Sequence, residues 1–363
     1  MKVLWGIEHR VSRPTCLALG VFDGVHRGHQ GVIAAAVSQA RSIGATPAVL
    51  TFDPHPAAVV APRGSPPLLT TTNEKIESIR QLGVKLVIIA PFDKALADMP
   101  AEVFVAEVLV RQLRARCVTV GFDWRFGAGG RGTPALLKRL AAVHGFGVTT
   151  IPAVVAKGLP VSSTRIRGLL LHGRVEEANE LLGRTYSLTG RVVAGHRLGR
   201  TLGFPTANLD PPAEKLIPAD GVYACWAGAC PPHGQRSSKL WPALGYIGSR
   251  PTFGGDGRRR VEVHLLQRRG PVGVRGASLR TEFVSRLRRD RRFPSAEALV
   301  AQMQADRVGA DVILGALQRT WDCAIVSCRA LAPASASDRE RSSRAAGQGL
   351  EARDRRREPH SSQ

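Results

Sequence analysis

Long apolar runs are missing from this sequence. The longest, Val84–Pro91, is interrupted by Lys85 and is far too short to cross a bilayer. Met1–Glu8 holds one Lys and no extended apolar core, so no secretory leader is expected there. Cysteine is sparse, 6 in 363 residues, which argues against a disulfide-built scaffold and fits a reducing, cytoplasmic compartment. Cys225/Cys230 and Cys323/Cys328 each show a C-x4-C spacing. No His or Cys neighbours complete a zinc site around them, so buried thiols are the expectation. Aromatic residues make up 5% of the chain. They do not alternate with the basic runs of Arg258–Arg292 or of the tail beyond Arg319, as a surface for single-stranded nucleic acid requires.

Acidic residues are also short, 29 against 51 Lys and Arg, leaving a formal charge of +22. Such a balance suits nucleic acid, an anionic membrane surface or small anionic substrates such as nucleotides. Arg far outnumbers Lys, a bias that genome composition alone can produce. What the chain does have is size and apolar content. At 363 residues and 44% hydrophobic, it is long enough for two domains with cores of their own.

The first half alternates strand-like and helix-like segments. Strands are expected at Thr15–Leu19, Thr46–Phe52, Lys85–Ala90, Cys117–Gly121 and Val148–Val155. Helices are expected at Gly31–Ile43, Asn73–Leu82, Pro100–Arg114 and Pro134–His144. The alternation predicts βαβ units and a mostly parallel sheet with helices on both faces. Ligands bind such sheets beyond the carboxyl ends of the strands. Phe22–His29, Phe52–Pro56 and Phe122–Gly132 all lie there.

The first of these belongs to G-V-F-D-G-V-H-R-G-H, Gly20–His29. It is a glycine-studded strand-to-helix turn, where backbone N–H groups and a helix N-terminus can face an anion. His26 and His29 stand at its mouth, and Gly28 between them leaves room for a phosphate to come close. Taken alone, H-x-G-H is also compatible with a glycine-rich turn bearing two surface histidines. F-D-W-R-F-G-A-G-G-R-G, Phe122–Gly132, can wrap a phosphate or a planar ring, or can be a flexible surface loop. V-S-S-T-R-I-R, Val161–Arg167, sets three hydroxyls before a helix, where they can serve as caps. Arg165 and Arg167 in its first turns oppose the helix dipole, and an anionic partner accounts for them better.

From about Gly183 the texture changes. Short strands expected at Tyr186–Val193, Gly221–Trp226, Trp241–Tyr246 and Val261–Leu266 predict a small antiparallel barrel. A closing helix is expected over Ser295–Ala305 and somewhat beyond. Ala330–Gln363, dominated by Ser, Ala and Arg, is expected to be disordered. The expected domains are 1–182 and 183–318, with a tail over 319–363.

H-x-G-H resembles the signature of the nucleotidyltransferase superfamily. As an ordered set, the motifs resemble the bacterial bifunctional riboflavin kinase/FMN adenylyltransferase (FAD synthetase) family over roughly Leu17–Asp306. In the first module these are Gly20–His29, T-F-D-P-H-P at Thr51–Pro56, G-F-D-W-R-F-G at Gly121–Gly127 and S-S-T-R-I-R at Ser162–Arg167. In the second they are G-R-T-L-G-F-P-T-A-N at Gly199–Asn208, G-V-Y-A at Gly221–Ala224, I-G-S-R-P-T-F-G at Ile247–Gly254 and V-E-V-H-L at Val261–Leu265.

The resemblance implies a Rossmann-like α/β nucleotidyltransferase domain followed by an antiparallel β-barrel riboflavin kinase domain. It implies that ATP phosphorylates riboflavin to FMN, and that FMN then attacks the α-phosphate of a second ATP to give FAD and pyrophosphate. Mg²⁺ is implied as the metal, and riboflavin, FMN and ATP as the small-molecule partners; no membrane or nucleic-acid partner is expected. His26 and His29 would be catalytic on the triphosphate, with Ser163, Thr164, Arg165 and Arg167 meeting its phosphates from the opposite side. Gly20, Phe22, Asp23, Gly24, Gly28, Asp53, Pro54 and His55 would line the nucleotide site. Asp123, Phe126 and Gly127 would help place flavin and nucleotide. In the second module, Gly195, Gly199, Arg200, Gly203 and Pro205 would shape a loop over ATP. Thr206 and Asn208 would hold Mg²⁺, as hard neutral oxygen ligands do. Glu262 would be the general base on the ribityl hydroxyl, against the alternative of an ordinary strand carboxylate.

Two departures fall in the second module. Tyr246 stands where the family usually has Asn, and Gln267–Ser278 reads Q-R-R-G-P-V-G-V-R-G-A-S in place of an acidic, aromatic run. Family-like sequence resumes near Leu279. The stretch reads as a local frame error in the gene; as a genuine sequence it predicts a weakened kinase beside intact adenylylation. Two other readings therefore stand beside the first. One is an FMN adenylyltransferase with an impaired kinase domain, the other a basic nucleic-acid-binding protein on a nucleotidyltransferase scaffold.

Overall fold

Six parallel strands carry the first half of the chain: β1 Lys2–Trp5, β2 Thr15–Leu19, β3 Thr46–Asp53, β4 Leu86–Pro91, β5 Ala115–Gly121 and β6 Gly147–Ile151. A computed structural model describes residues 1–61, 64–194, 203–230, 240–249, 259–266 and 276–330, with side chains to residue 317. Expectations placed on Gly195, Gly199, Arg200, residues 250–258, residues 267–275 and the tail 331–363 lie outside them. Met1–Leu314 forms one compact unit and Gly315–Gln363 another. Of the second, only the helical course to Ala330 is described.

The parallel strands read as apolar runs because both faces of the sheet are covered. Leu17, Leu19, Leu50 and Ile88 face the helices α3 (Phe104–Gln112) and α4 (Pro134–His144). Ala18, Val49, Val87 and Ile89 face α1 (Arg27–Ser42) and α2 (Thr72–Arg80). The sheet order is β1-β4-β3-β2-β5-β6. The chain leaves β2 for β3 on one side and later returns to β5 on the other. That reversal makes the carboxyl end of β2 a topological switch point, where open α/β sheets leave a crevice for ligands.

Several expectations are corrected in detail. Strand β1 was not expected; it is a short edge strand pairing with β4. The expected strand Val148–Val155 ends at Ile151, because Pro152 has no N–H to donate to a ladder. Val155–Ala156 (β7) instead pairs with Leu159–Pro160 (β8) in a small hairpin. The expected helix Pro100–Arg114 is one α-turn, Ala101–Val103, followed by the wider coil of α3, with Leu113 N donating to Val108 O at 3.0 Å. Cys16 and Cys117, register partners on β2 and β5, are joined in a disulfide rather than standing as thiols. Adjacent strands bring their Cα atoms to 4.6 Å, within disulfide reach. Cys225 is a buried thiol outside any disulfide.

Helices α5 (Ser163–Leu171) and α6 (Val175–Leu182) lead into the second module. It is a closed six-stranded antiparallel barrel, β10-β13-β12-β11-β14-β9, with β9 Tyr186–Val193, β10 Ala207–Asp210, β11 Gly221–Ala229, β12 Trp241–Gly248, β13 Arg260–Leu265 and β14 Ser278–Arg289. Strand β14 was missed because its arginines mask the alternation: Leu279, Thr281 and Phe283 are buried, while Arg280 and Arg286 between and beyond them are partly exposed. Phe283 packs edge-on against Tyr223 at 5.3 Å in the barrel core. Helix α7, Ala296–Ala330, follows the barrel and packs Ala310 and Leu314 onto Val222 and Leu244.

The segment Leu68–Lys75 joins the two modules. Leu68 exchanges backbone bonds with Glu214 and Leu216, Lys215 Nζ donates to Leu69 O at 2.6 Å, and Lys215 pairs with Glu74 at 2.5 Å. Glu74 also caps its own helix at Thr71 and accepts from Thr189 on β9. With side chains 1% and 10% exposed, this pair is buried. Breaking a buried pair from one side strands the other charge, so Lys215→Met should cost about 3 kcal/mol. Urea midpoints of Lys215→Met, Glu74→Gln and the double variant measure it. A double variant less destabilised than the sum of the singles is expected, and additive losses would contradict the pairing.

Candidate active sites

The end of β2 turns sharply before α1 begins. Phe22 and Val25 have φ of 52° and 39°, and Gly24 has 83°. Left-handed backbone at non-glycine residues costs roughly 1–3 kcal/mol each, so the surroundings must hold it. At Gly24 a Cβ would come 2.8 Å from Leu69 Cδ1, so this glycine is required by space as well as by φ.

What holds the turn is Asp23, 2% exposed. Its carboxylate accepts from Leu69 N and Thr70 N at 3.0 Å and from Thr70 Oγ1 at 3.2 Å. It also receives Arg167 at 2.6 Å, and Arg167 Nε donates to Pro67 O. Ser163 Oγ donates to Asp23 O, Thr70 Oγ1 accepts from Gly24 N, and Arg184 donates to Gly24 O and Val25 O. One carboxylate thus draws together the β2 turn, the Pro67–Thr70 segment and α5.

His26 caps α1, its Nδ1 accepting from His29 N at 3.3 Å. An accepting Nδ1 leaves the proton of a neutral ring on Nε2. The His26 and His29 rings stack at 3.6 Å, and Phe22 meets His29 edge-on at 5.3 Å. A Cβ at Gly28 would come 3.1 Å from His26 Cε1, so this glycine leaves the imidazole edge open. Burial pushes His26 down to about 4. His29 is held well below the usual range, first by burial and then by His26, Lys75 and Arg184. Both rings are therefore neutral near pH 7, and His29 Nδ1 is buried without a partner.

A cavity of 680 Å³ opens at the switch point, lined by Gly20, Phe22 and His29 from the β2 turn and by Asp123, Phe126 and Gly127 from the loop after β5. Trp124 stacks on Phe126 at 4.6 Å, and Phe52 lies edge-on to Phe92 at 5.5 Å in the same lining. The walls suit a planar aromatic ring and the mouth suits phosphate. Asp53 accepts from Thr72 Oγ1 at 2.9 Å, and His55 Nδ1 accepts from Ala57 N at 3.1 Å. With Pro54 they line a separate cleft toward the barrel rather than this cavity.

Ser162, not Ser163, caps α5, and Ser163 and Thr164 belong to its first turn. The Arg165 guanidinium donates to Ala156 O and Leu159 O of the β7–β8 hairpin. Lys75, which the motifs do not mark, lies buried beneath the turn. Its signal was a lysine at i−4 from the core residue Ile79, on the apolar face of α2.

In the barrel, β10 and β13 set Asn208 opposite Glu262. Thr206 Oγ1 donates to Glu262 Oε2 at 3.0 Å, and Asn208 Oδ1 is buried without a partner. His264 contacts Pro205 O at 2.8 Å and stands edge-on to Phe204, fixing the approach to this cluster. Gly203 has φ of 82°, with open space where a Cβ would point. Among the described residues no group of three His, Cys, Asp or Glu stands ready for a metal, and no helix is long and apolar enough to cross a membrane.

Comparison with known proteins matches residues 8–165 to an FAD synthetase family and residues 182–314 to a riboflavin kinase family. The bifunctional riboflavin kinase/FMN adenylyltransferase of Escherichia coli (strain K12) is 34% identical over 318 residues, covering 87% of this chain and 98% of the relative. Its counterpart in Pseudomonas fluorescens is 36% identical over 308 residues, covering 84% and 96%. A crystal structure from Streptococcus pneumoniae, described as a macrolide-efflux protein, superposes with a TM-score of 0.73 at 28% identity, covering 84% of this chain and 97% of that one.

The depressed His26 pKa links stability to pH. An unfolded His26 protonates below 6.5, whereas the folded one does so only near 4. The stability is complete above pH 6.5 and is lost as pH falls toward 4. Between about pH 7.5 and about pH 4.5 the group should cost about 2–3 kcal/mol. Urea unfolding at the two pH values should show a smaller loss in His26→Asn than in wild type; equal losses would contradict the assignment.

Proposed function

This chain belongs to the bifunctional riboflavin kinase/FMN adenylyltransferase family, and on that premise we propose how its residues divide the two reactions. Riboflavin is phosphorylated by ATP to FMN, and FMN is adenylylated by a second ATP to FAD. Both are transfers in which a protein contributes alignment and charge stabilisation more than covalent chemistry.

The adenylylation reading is carried by the imidazole pair, stacked at 3.6 Å at the switch point. A phosphate oxygen of FMN attacks the α-phosphorus of ATP, the bond to the β-phosphate oxygen breaks, and pyrophosphate takes the electron pair. In this reading the Nε2–H of His26 and the ring of His29 meet the phosphate oxygens on which charge grows, and the first amides of α1 add their dipole. A neutral imidazole carries one N–H, so each ring donates one hydrogen bond to a phosphate oxygen. Arg167, oriented by Asp23, closes the site from α5, with Ser163 and Thr164 beside it. The aromatic cavity of Phe22, Trp124 and Phe126 takes a planar ring of the reactants, with Gly127 giving its loop the sharp bend. Arg165 is left as a brace of the hairpin.

In the barrel, Glu262 takes the proton from the ribityl hydroxyl as its oxygen attacks the γ-phosphorus of ATP and ADP leaves. The neighbouring donors suit Mg²⁺: the Thr206 hydroxyl and the unpartnered Oδ1 of Asn208 are hard, neutral oxygens. When bound, that ion would offset charge on the ATP phosphates. A cytoplasmic location, where ATP is supplied, belongs to the same proposal.

Incubation with riboflavin, ATP and Mg²⁺ followed by separation of the flavins tests the division. Wild type should give FMN and FAD. His29→Ala should lose FAD formation by at least about a hundredfold and keep FMN formation, while Glu262→Ala should lose FMN formation and still convert added FMN to FAD. FAD only from added FMN in wild type would mark an impaired kinase. Neither product would end the enzymatic reading.

A further inference from the structure

Lys75 lies on the inner face of α2 and is 5% exposed. Its Nζ donates to Phe52 O at 3.2 Å and reaches Thr51 Oγ1 at 3.5 Å. Thr51 Oγ1 in turn donates to Val21 O at 2.9 Å. The ammonium therefore ties the end of β3 to the turn that presents the histidines.

Its neighbours show what is unusual about it. The other cations buried nearby are paired, Arg167 with Asp23 at 2.6 Å and Lys215 with Glu74 at 2.5 Å. Lys75 makes no such ion pair among the described residues. Buried charges are ordinarily matched by a counter-charge in contact. Here the carboxylates of Asp23 and Asp53 act on it only from further off, and burial pulls its pKa down. Beside it stands a site built for a polyanion. His29 stacks on His26, and after burial the positive charge of Lys75 weighs against protonation of both His29 and His55.

We propose that Lys75 is a positioning residue for adenylyl transfer: its buried ammonium fixes the end of β3 against the histidine turn and supplies the positive field that a bound triphosphate answers. The proposal rests on the reading that this turn adenylylates FMN. Lys75 forms and breaks no bond. It acts through His29, which stays an uncharged partner for the phosphates while the ammonium behind it supplies attraction. A bound triphosphate is then the counter-charge that this buried ammonium meets.

The test compares wild type, Lys75→Gln and Lys75→Arg as full chains. Three quantities are read: FAD formation from FMN and Mg²⁺-ATP, FMN formation from riboflavin, and the titration of the His29 ring by NMR. In Lys75→Gln, kcat/KM for FAD formation should fall at least about tenfold with FMN formation within about twofold. The His29 ring should also titrate at higher pH, because a repelling charge has gone. Lys75→Arg should move both readings back toward wild type. Unchanged FAD formation in Lys75→Gln would overturn the proposal, as would a loss with His29 titrating as in wild type, which marks a mechanical brace alone. A wild-type enzyme that makes no FAD would sink the adenylylation reading itself, and the His29 titration would still decide whether Lys75 sets the charge state of that ring.

Discussion

The carboxylate of Asp23 is the constraint on which the first site depends. The turn after β2 contains left-handed backbone at Phe22 and Val25, a conformation that such residues do not adopt unaided. Asp23 holds it by accepting from the backbone of Leu69 and Thr70 while pairing with Arg167. That arrangement brings together segments more than a hundred residues apart. His26 then follows at the cap of α1 with its ring already oriented, and His29 stacks upon it. Preorganisation of this kind spares a site the cost of ordering its groups when a ligand binds.

The same segment that Asp23 grips also carries the junction to the barrel. Leu69 and Thr70 face Asp23, while Leu68, Leu69 O and Glu74 engage Glu214, Lys215 and Leu216. Arg184, at the start of the second module, reaches back to the carbonyls just ahead of His26. The two modules therefore share one braced stretch of backbone rather than a loose linker. Each carries its own candidate site, the imidazole pair at a sheet's switch point and, in the barrel, Glu262 on β13 bonded to Thr206 just ahead of β10.

Much of this was legible in the sequence, for identifiable reasons. The parallel sheet announced itself through apolar runs alternating with helical periodicity, and the candidate site residues fall just past its strand ends. Glu262 and Asn208 could be named from motifs, and their strands set them side by side. What could not be read has physical causes. Strand β14 hid behind the arginines that interrupt its apolar pattern, and Pro152 cut β6 short. Arg165 and Arg167 look alike in the sequence. Only the fold shows that one is spent on hairpin carbonyls and the other on Asp23. The Cys16–Cys117 bond arises from strand adjacency between β2 and β5, which no spacing of cysteines encodes.

Asp23→Asn tests the central claim most directly, because it keeps the shape of the side chain and removes the charge that Arg167 meets. The measurement is pyrophosphate release from FMN and Mg²⁺-ATP beside FMN formation from riboflavin, on one preparation. The account predicts that kcat/KM for pyrophosphate release falls by about a hundredfold, with FMN formation within about twofold of wild type. Equal losses in both reactions, or no loss in either, would contradict it.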